Sequence, residues 1–575
     1  MKTSPVPRRY KLLALLACVA VWLALAASVV DVALGLPRLA GASTSRASPE
    51  PPRTIPNTDV NPYGANFFLE WEPETWKIEK TLQMAHDAGI GWVKQQFPWE
   101  DIQLSPGIDG FWDDRLNKST WEKYDRIVDL ARKYNLEVIA RLDRPPKWAR
   151  QDNRLPQTPP DRFEDYGDFV YAVVSHYKGK IRYYQIWNEP NVYPEWGDHP
   201  PDPEAYVRLL KIAYTRAHEA DPNVWILSAP LAQTLEESDR NVSDLTYLER
   251  MYEAGAKDYF DILFANAYGF AFPPDDPPSP DRLNFSRVLL LRQIMERHGD
   301  GQKAVWFNEF GWNASPEDFP PERLPWARVS EQLQASYTIQ AIQQARAEWP
   351  WAGVFNIWYF RQAGNLPSDR PEYYFRMVDP GFTPRPIYQA VKKATADIGT
   401  AGPGTHEETN PAAVFSGAWQ IERQKLASGG AMYTSRQAGD SATITFQGTE
   451  IALLAQTGPK SGTLYVTLDG REANRLPRDR QGRSYLDLSA QGTTGIEWIP
   501  VADGLHSERH VLRMVVAPSQ RPEAESNVAI DAFRVADTGP AGYEPWLRFA
   551  GLLVATLFLG GVVWLLVRRR RALGT

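Results

Sequence analysis

A closed barrel of eight parallel strands wrapped by helices, the (β/α)8 or TIM-barrel form of the α/β class, followed by a β-sandwich and flanked by two transmembrane helices, is the fold this sequence predicts. Three observations predict it. Between residues 58 and 398, short apolar runs alternate eight times with amphipathic stretches at helical spacing. Between 412 and 538, short alternating runs rich in Thr, Val and Ile are separated by Gly and Asp turns. Near each end lies one long apolar run edged by basic residues.

The N-terminal run covers residues 12–36, preceded by Arg8, Arg9 and Lys11 in a short segment, 1–11. At about 1.5 Å per residue it is long enough to cross a bilayer. Ala24-Leu25-Ala26 offers small residues for signal cleavage, but the run continues to Leu36, which favours an uncleaved anchor. The second run, 549–567, ends in Arg568, Arg569, Arg570 and Arg571 of a basic tail, 568–575. The positive-inside rule then places both termini in the cytoplasm and the middle of the chain outside, so the expected location is the cell membrane with an extracytoplasmic catalytic domain. Residues 37–57, rich in Pro, Ser, Ala and Arg, read as a flexible stalk, and 399–411, without apolar pattern, as a linker.

The expected barrel strands are 63–67, 91–96, 137–142, 183–188, 224–228, 262–268, 304–308 and 353–358, with helices such as 76–88, 121–134, 204–220 and 329–347 between them. Strands with little alternation are buried on both faces, as parallel strands are. Eight such units suit a closed barrel better than an open doubly wound sheet, and no Gly-rich phosphate turn follows the first strand.

Composition excludes several functions. A formal net charge of -7 lacks the concentrated positive charge that nucleic acid needs, so no nucleic-acid partner is expected. The one cysteine, Cys18, lies in the first apolar run, which rules out a disulfide framework or a thiolate metal site. Eight scattered histidines show no metal-ligand spacing, so neither cofactor nor metal is expected, and scattered aspartates in the sandwich define no calcium ligand set. The 21 Trp, 25 Tyr and 23 Phe suit either sugar stacking or core filling.

Two glutamates stand out against this background. Glu189 closes Tyr-Tyr-Gln-Ile-Trp-Asn-Glu-Pro (183–190), and Glu309 closes the apolar part of Ala-Val-Trp-Phe-Asn-Glu-Phe-Gly (304–311). A charged residue at the end of a buried strand is costly without a task, and the C-terminal ends of barrel strands are where active sites are built. The two are 120 positions apart, three strand-helix units of about 40, and end strands four and seven. A paired carboxyl and carboxylate is what glycosidic bond cleavage requires.

Trp187-Asn188-Glu189-Pro190, together with the second motif, resembles the Asn-Glu-Pro signature of the clan A retaining glycoside hydrolases, cellulase-like (family 5) or family 39-like (β/α)8 barrels. Residues 91–104 followed by Pro106-Gly107 are similar to the second-strand region of that group. The resemblance implies that Glu189 is the acid/base, Glu309 the nucleophile, and Asn188 a ligand of the sugar 2-hydroxyl. It implies further that Tyr268 holds the nucleophile and that Trp358 offers an indole face to the sugar. Trp148, Trp99 and Trp312 follow strand ends and could extend the sugar-binding floor or simply pack loops. The chain departs from the clan in two places. Its second strand reads Trp92-Val93-Lys94-Gln95-Gln96-Phe97 where an arginine is usual, leaving Gln96 or Lys94 as donor, and Asn266 stands where a histidine is usual.

In the sandwich, runs at 442–446, 451–455, 462–468, 510–516 and 528–535 read as strands. Phe446-Gln447-Gly448-Thr449-Glu450-Ile451, Val466-Thr467-Leu468-Asp469-Gly470, Gly504-Leu505-His506 and Ile530-Asp531-Ala532-Phe533 resemble galactose-binding-like carbohydrate modules. Trp419, Tyr433 or Trp498 would then be sugar platforms, against the alternative of a structural spacer. The expected function is a membrane-anchored retaining β-glycosidase acting on oligo- or polysaccharide. The alternatives are a non-catalytic glycan-binding protein and an envelope transglycosylase using the same pair.

Overall fold

The computed structural model describes residues 55–364, 366–518 and 527–537. Eight parallel strands close into a barrel: β1 (Tyr63–Phe67), β2 (Trp92–Pro98), β3 (Glu137–Asp143), β4 (Tyr183–Ile186), β5 (Trp225–Leu227), β6 (Ile262–Tyr268), β7 (Ala304–Gly311) and β8 (Ala352–Ile357). Each pairs with its sequence neighbours, and β1 pairs with β8 to close the ring. Eight helices of nine residues or more cover it: α1 (Thr75–Asp87), α2 (Glu122–Lys133), α3 (Phe163–His176), α4 (Pro203–Ala220), α5 (Asp244–Glu253), α6 (Val288–Arg297), α7 (Glu331–Glu348) and α8 (Pro386–Ala394). The local chemistry is legible in these elements. In α2, Tyr124, Ile127, Val128 and Ala131 recur at helical spacing and are the residues it buries. Helix α4 starts where Asp202 accepts the Ala205 N–H at 2.8 Å, with Pro203 in the first turn where its missing N–H costs nothing.

Among the described residues, the two longest helices, α4 and α7, are 18 residues each and carry charged side chains such as Arg208, Lys211 and Arg216, or Glu331 and Arg346. No helix among the described residues is long and apolar enough to cross a membrane. The expectation of a fold flanked by two membrane-spanning helices is corrected on that finding. Residues 12–36 and 549–567, where the spans were expected, lie outside the described residues.

The second region contains strands β9 (Gly404–Glu407), β10 (Ala413–Ser416), β11 (Gln420–Arg423), β12 (Ala431–Ser435), β13 (Ser441–Gly448), β14 (Glu450–Thr457), β15 (Thr463–Leu468), β16 (Arg471–Glu472), β17 (Tyr485–Asp487), β18 (Gly495–Ala502), β19 (Glu508–Val516) and β20 (Val528–Ala536). They form two six-stranded sheets, β11-β12-β20-β14-β18 with β9 beside β20, and β10-β13-β19-β15-β16 with β17 beside β15. Strict alternation of burial along β14 and β15 gives each sheet one apolar face, and Leu453, Leu464, Val466, Leu512 and Phe533 fill the space between.

The sandwich seals one end of the barrel. Trp92, Tyr183, Trp225, Ile262 and Trp306, at or near the starts of their strands, form an apolar cluster with Ile421 and Ala431. Arg423 lies over the Trp225 ring at 3.9 Å and donates to the Val224 carbonyl at 2.8 Å and to Asp261 at 2.9 Å. Arg182 donates to the Tyr433 hydroxyl at 3.1 Å. The strands' N-terminal ends are therefore covered, and chemistry is left to the opposite mouth.

Candidate active site

Glu189 lies just past β4, in a turn where Trp187 has φ 73° and Glu189 itself φ 40°. Non-glycine residues avoid this left-handed region, and it persists only where surroundings enforce it. Here the Glu189 N–H donates to the Pro230 carbonyl at 3.0 Å, the Trp187 indole to the Glu195 carbonyl at 2.8 Å, and Asn191 to the Ala232 and Val242 carbonyls at 2.9 Å. The result aims a carboxyl into the barrel mouth, where it keeps slight contact with solvent.

Glu309 reaches the same space by a different device. Against β6, Phe307 pairs with Ala265 and Glu309 with Asn266, so Asn308 is an extra residue in β7. A bulge of this kind breaks the two-residue alternation of a strand. Phe307 and Phe310 go to the core between strands and helices, while the side chains of both Asn308 and Glu309 meet groups of the barrel mouth. Without the extra residue, Asn308 and Glu309 would face opposite ways.

Four barrel residues hold the pair. Lys94 from β2 donates to Glu309 Oε1 at 3.3 Å, and Tyr268 from β6 donates to Oε2 at 2.8 Å. Asn266 donates to Glu189 Oε1 at 2.5 Å and accepts from Asn308 at 2.7 Å, linking the two carboxylate positions. Beside them, Arg141 pairs with Asp143 at 2.5 Å and approaches Glu195 at 3.9 Å, Gln96 donates to Asp143 at 2.7 Å, and Asn188 donates to Glu195 at 3.5 Å.

These surroundings set the protonation states. Burial pushes Glu189 up to about 8, with further upward pressure from the charges of Glu309 and Glu195 that Arg141 and Lys94 only partly oppose. Burial pulls the Lys94 ammonium down to about 8 against the attraction of Glu309. Burial, then the fields of Glu309 and Glu189, drives the Tyr268 phenol well above its ordinary value, so it stays a proton donor to Glu309. The neutral form of Glu189 is thus favoured, while Glu309 accepts from an ammonium and a hydroxyl.

The remaining expected residues divide. Trp358 is half-buried and stands edge-on to Phe68 at 5.5 Å in an aromatic wall that includes Tyr268, Tyr359 and Phe375. Gln96 and Asn188 belong to the polar ring around Arg141 and Asp143 rather than touching either glutamate's carboxylate. Trp148 donates to the Gln103 carbonyl at 3.1 Å and packs edge-on against the fully buried Trp99. Trp312 is buried among Phe285 and Tyr337, and its indole donates to the Phe272 carbonyl at 2.7 Å. Both indoles have packing partners, and Trp148 stays half-exposed. In the sandwich, Tyr433 is committed to Arg182 and Phe415, Trp419 donates to the Ser441 carbonyl, and Trp498 lies under Arg534.

Sequence reasoning passed over Arg141, Asp143 and Glu195. The signal was available for Arg141: a cation between Ile139, Ala140 and Leu142 in a parallel strand is as costly as the two glutamates. A cavity of about 840 Å³ is lined by sandwich residues alone, among them Glu450, Arg475, Tyr485 and Arg534, and is separate from this mouth. Among the described residues, the one group of three acidic or imidazole side chains that converges as metal ligands do is Glu407, Glu408 and Asp531, also in the sandwich.

No family model matches the chain, and no curated protein matches it. Solved structures do. A family 39 glycoside hydrolase from the gut symbiont Bacteroides cellulosilyticus WH2 is 17% identical, with 79% of this chain and 81% of that one covered and a TM-score of 0.45. A family 39 β-xylosidase from Caulobacter crescentus is 14% identical over 81% of this chain and 97% of its own, with a TM-score of 0.43. A family 5, subfamily 18 protein from Streptomyces cattleya, solved with GlcNAc, is 14% identical over 62% and 87%, with a TM-score of 0.44. The structural neighbours of this chain include family 39 and family 5 glycoside hydrolases.

Proposed function

We propose that this chain is a retaining β-glycosidase that cleaves O-glycosidic bonds of oligo- or polysaccharides by double displacement. One observation carries the reading: at the open mouth of the barrel, Asn266 joins Glu189 to Asn308 beside Glu309, and Glu309 receives an ammonium and a phenol, while burial pushes Glu189 toward its neutral form. Glu189 protonates the leaving oxygen as Glu309 attacks the anomeric carbon, forming a glycosyl ester and releasing the aglycone. Glu189, now ionised, takes a proton from water, which attacks the same carbon and frees Glu309. Retention requires the two carboxyl groups to be roughly 5 to 5.5 Å apart, close enough for direct attack.

The supporting residues then have defined work. Lys94 and Tyr268 hold Glu309 in position and bear its charge before attack, and Tyr268 keeps its proton throughout. Asn188 would meet the sugar 2-hydroxyl, and Trp358 would lie against the ring's C–H face. The test is hydrolysis of a panel of aryl β-glycosides and β-linked polysaccharides by the full chain, with Glu189→Gln and Glu309→Gln beside it. Turnover lost on every substrate in Glu309→Gln, and on the polysaccharides in Glu189→Gln, supports the proposal. Retention on a glycan array without turnover on any substrate would replace it with a binding role.

A further inference from the structure

We infer, resting on the reading of Glu189 as the proton donor, that Asn266 and Asn308 are positioning residues that confine the acid proton to one of its two oxygens, Oε2. Asn266 is 1% exposed and Asn308 fully buried, so bulk water does not compete for their amides. Asn308 Nδ2 donates to Asn266 Oδ1 at 2.7 Å, and Asn266 Nδ2 donates to Glu189 Oε1 at 2.5 Å. An amide side chain carries its donor and its acceptor on different prongs. With the oxygen of Asn266 turned to Asn308, only its amino group is left for Glu189. The stronger acceptor of a neutral carboxyl is its carbonyl oxygen, so Oε1 takes that form and the proton resides on Oε2. Oε2 receives no hydrogen bond from any described residue, and the side chain keeps slight contact with solvent, where a leaving oxygen must arrive.

The bonding of Asn308 supports this direction. Its Oδ1 is buried and receives no donor, which folded proteins rarely tolerate, so its bond to Asn266 is what an amide contributes there that an apolar side chain could not. Asn66 pins the backbone beside it by donating to the Asn308 carbonyl at 3.0 Å. Asn308 is also the extra residue of β7, so one bulge delivers both the attacking carboxylate and the group that orients the acid's partner. With both amides turned over, Asn266 would present an oxygen to Glu189. That contact is repulsive whenever Glu189 is ionised, as it is between the two displacements.

The consequence runs through the whole cycle. In the first displacement the proton leaves Oε2 for the glycosidic oxygen as its bond to the anomeric carbon breaks. In the second, Oε2 takes a proton from the water that attacks that carbon, and the bond to Glu309 breaks. Asn266 donates to Oε1 in both, so the carboxyl never turns over. An amide does not titrate, so this bond keeps its direction across the working pH range.

Neutron diffraction from deuterium-exchanged crystals of the protein, kept on the acid side of neutral pH, reads the arrangement directly. A deuteron on Glu189 Oε2, with the amino group of Asn266 facing Oε1, is the expected result. A deuteron on Oε1, or the reversed amide, would overturn the inference whether or not any glycoside is cleaved. Kinetics read its effect through kcat/KM, which reports the first displacement, on two substrates: a β-linked oligosaccharide, whose leaving group needs the proton, and an aryl β-glycoside with an acidic phenol, which does not. Asn266→Ala and Asn308→Ala, made separately in case one fails to fold, should each lose about 10- to 100-fold more on the oligosaccharide than on the aryl glycoside. Asn266→Asp sets an oxygen against Oε1 and should move the alkaline limb of kcat/KM to higher pH, because two touching carboxyls share one proton. Equal losses on both substrates in folded Asn266→Ala would overturn the inference and leave the two-glutamate chemistry standing. Failure of the wild type to cleave any glycoside would strike the proposed function instead, with the neutron map still deciding where the proton lies.

Discussion

Replacing Lys94 with methionine removes a charge while keeping most of the side chain's volume. Lys94 Nζ is 3.3 Å from Glu309 Oε1, and both side chains are nearly inaccessible, at 3% and 9% exposure. Two unit charges at that distance attract by about 5 kcal/mol at an effective dielectric constant of 20. At pH 7 the ammonium is still mostly protonated, because burial brings it down only to about 8. Breaking a buried pair from one side typically costs about 3–5 kcal/mol, since the remaining carboxylate is uncompensated. Tyr268 still donates to Oε2, so roughly half of that should reach the barrier. About 1.5–2.5 kcal/mol corresponds to about a 10- to 70-fold loss in kcat/KM. The assay is steady-state hydrolysis of an aryl β-glycoside from pH 5 to 9, with circular dichroism to verify folding. Folded Lys94→Met protein within threefold of wild type at pH 7 would refute the reasoning, for it would mean that the ammonium does not hold the attacking carboxylate.

Further consequences follow from the same geometry. Glu189→Gln should lose about 10²–10⁴-fold in kcat/KM on sugar leaving groups and far less on an activated aryl leaving group that needs no proton, measured by comparing the two. Wild-type activity should fall as pH rises through about 8, because Glu189, raised by burial and then by Glu309 and Glu195, acts while protonated; Glu195→Gln should move this limb to lower pH in a pH–rate profile. Tyr268→Phe removes a 2.8 Å bond to a charged oxygen, worth about 1.5–3 kcal/mol, and should lower kcat about 10- to 100-fold with little change in the urea midpoint. Arg287→Met leaves Asp244 buried alone after the loss of bonds at 2.8 and 3.0 Å, and should destabilise the barrel by about 3–5 kcal/mol in urea unfolding.

The barrel was legible because its parallel strands are apolar on both faces. The runs at 63–67 and 262–268 coincide with β1 and β6, and both glutamates are found at the mouth. The reading ended the seventh strand at Asn308, whereas β7 continues to Gly311, because a bulge is a property of pairing with β6 and leaves no periodic trace in one strand. Lys94 and Asn266 drew notice only as departures from a family pattern; their contacts depend on side chains from β4 and β7 that sequence spacing does not bring together. In the sandwich, β13 to β15, β19 and β20 announce themselves by alternation. β11, with the sequence Gln-Ile-Glu-Arg, does not, because it contributes Ile421 and Arg423 to the junction with the barrel. The indoles of Trp148 and Trp312 show the converse: position after a strand does not say what a ring meets, and both here donate to backbone carbonyls, of Gln103 and Phe272.

The most direct test of the two-glutamate account is proton NMR of the first sugar released from an aryl β-glycoside that the chain cleaves, in wild type and in Glu309→Gln. The account predicts the β-anomer first, with mutarotation to the α-anomer only later, and no product from the variant. The α-anomer appearing first, or full turnover by Glu309→Gln, would contradict it.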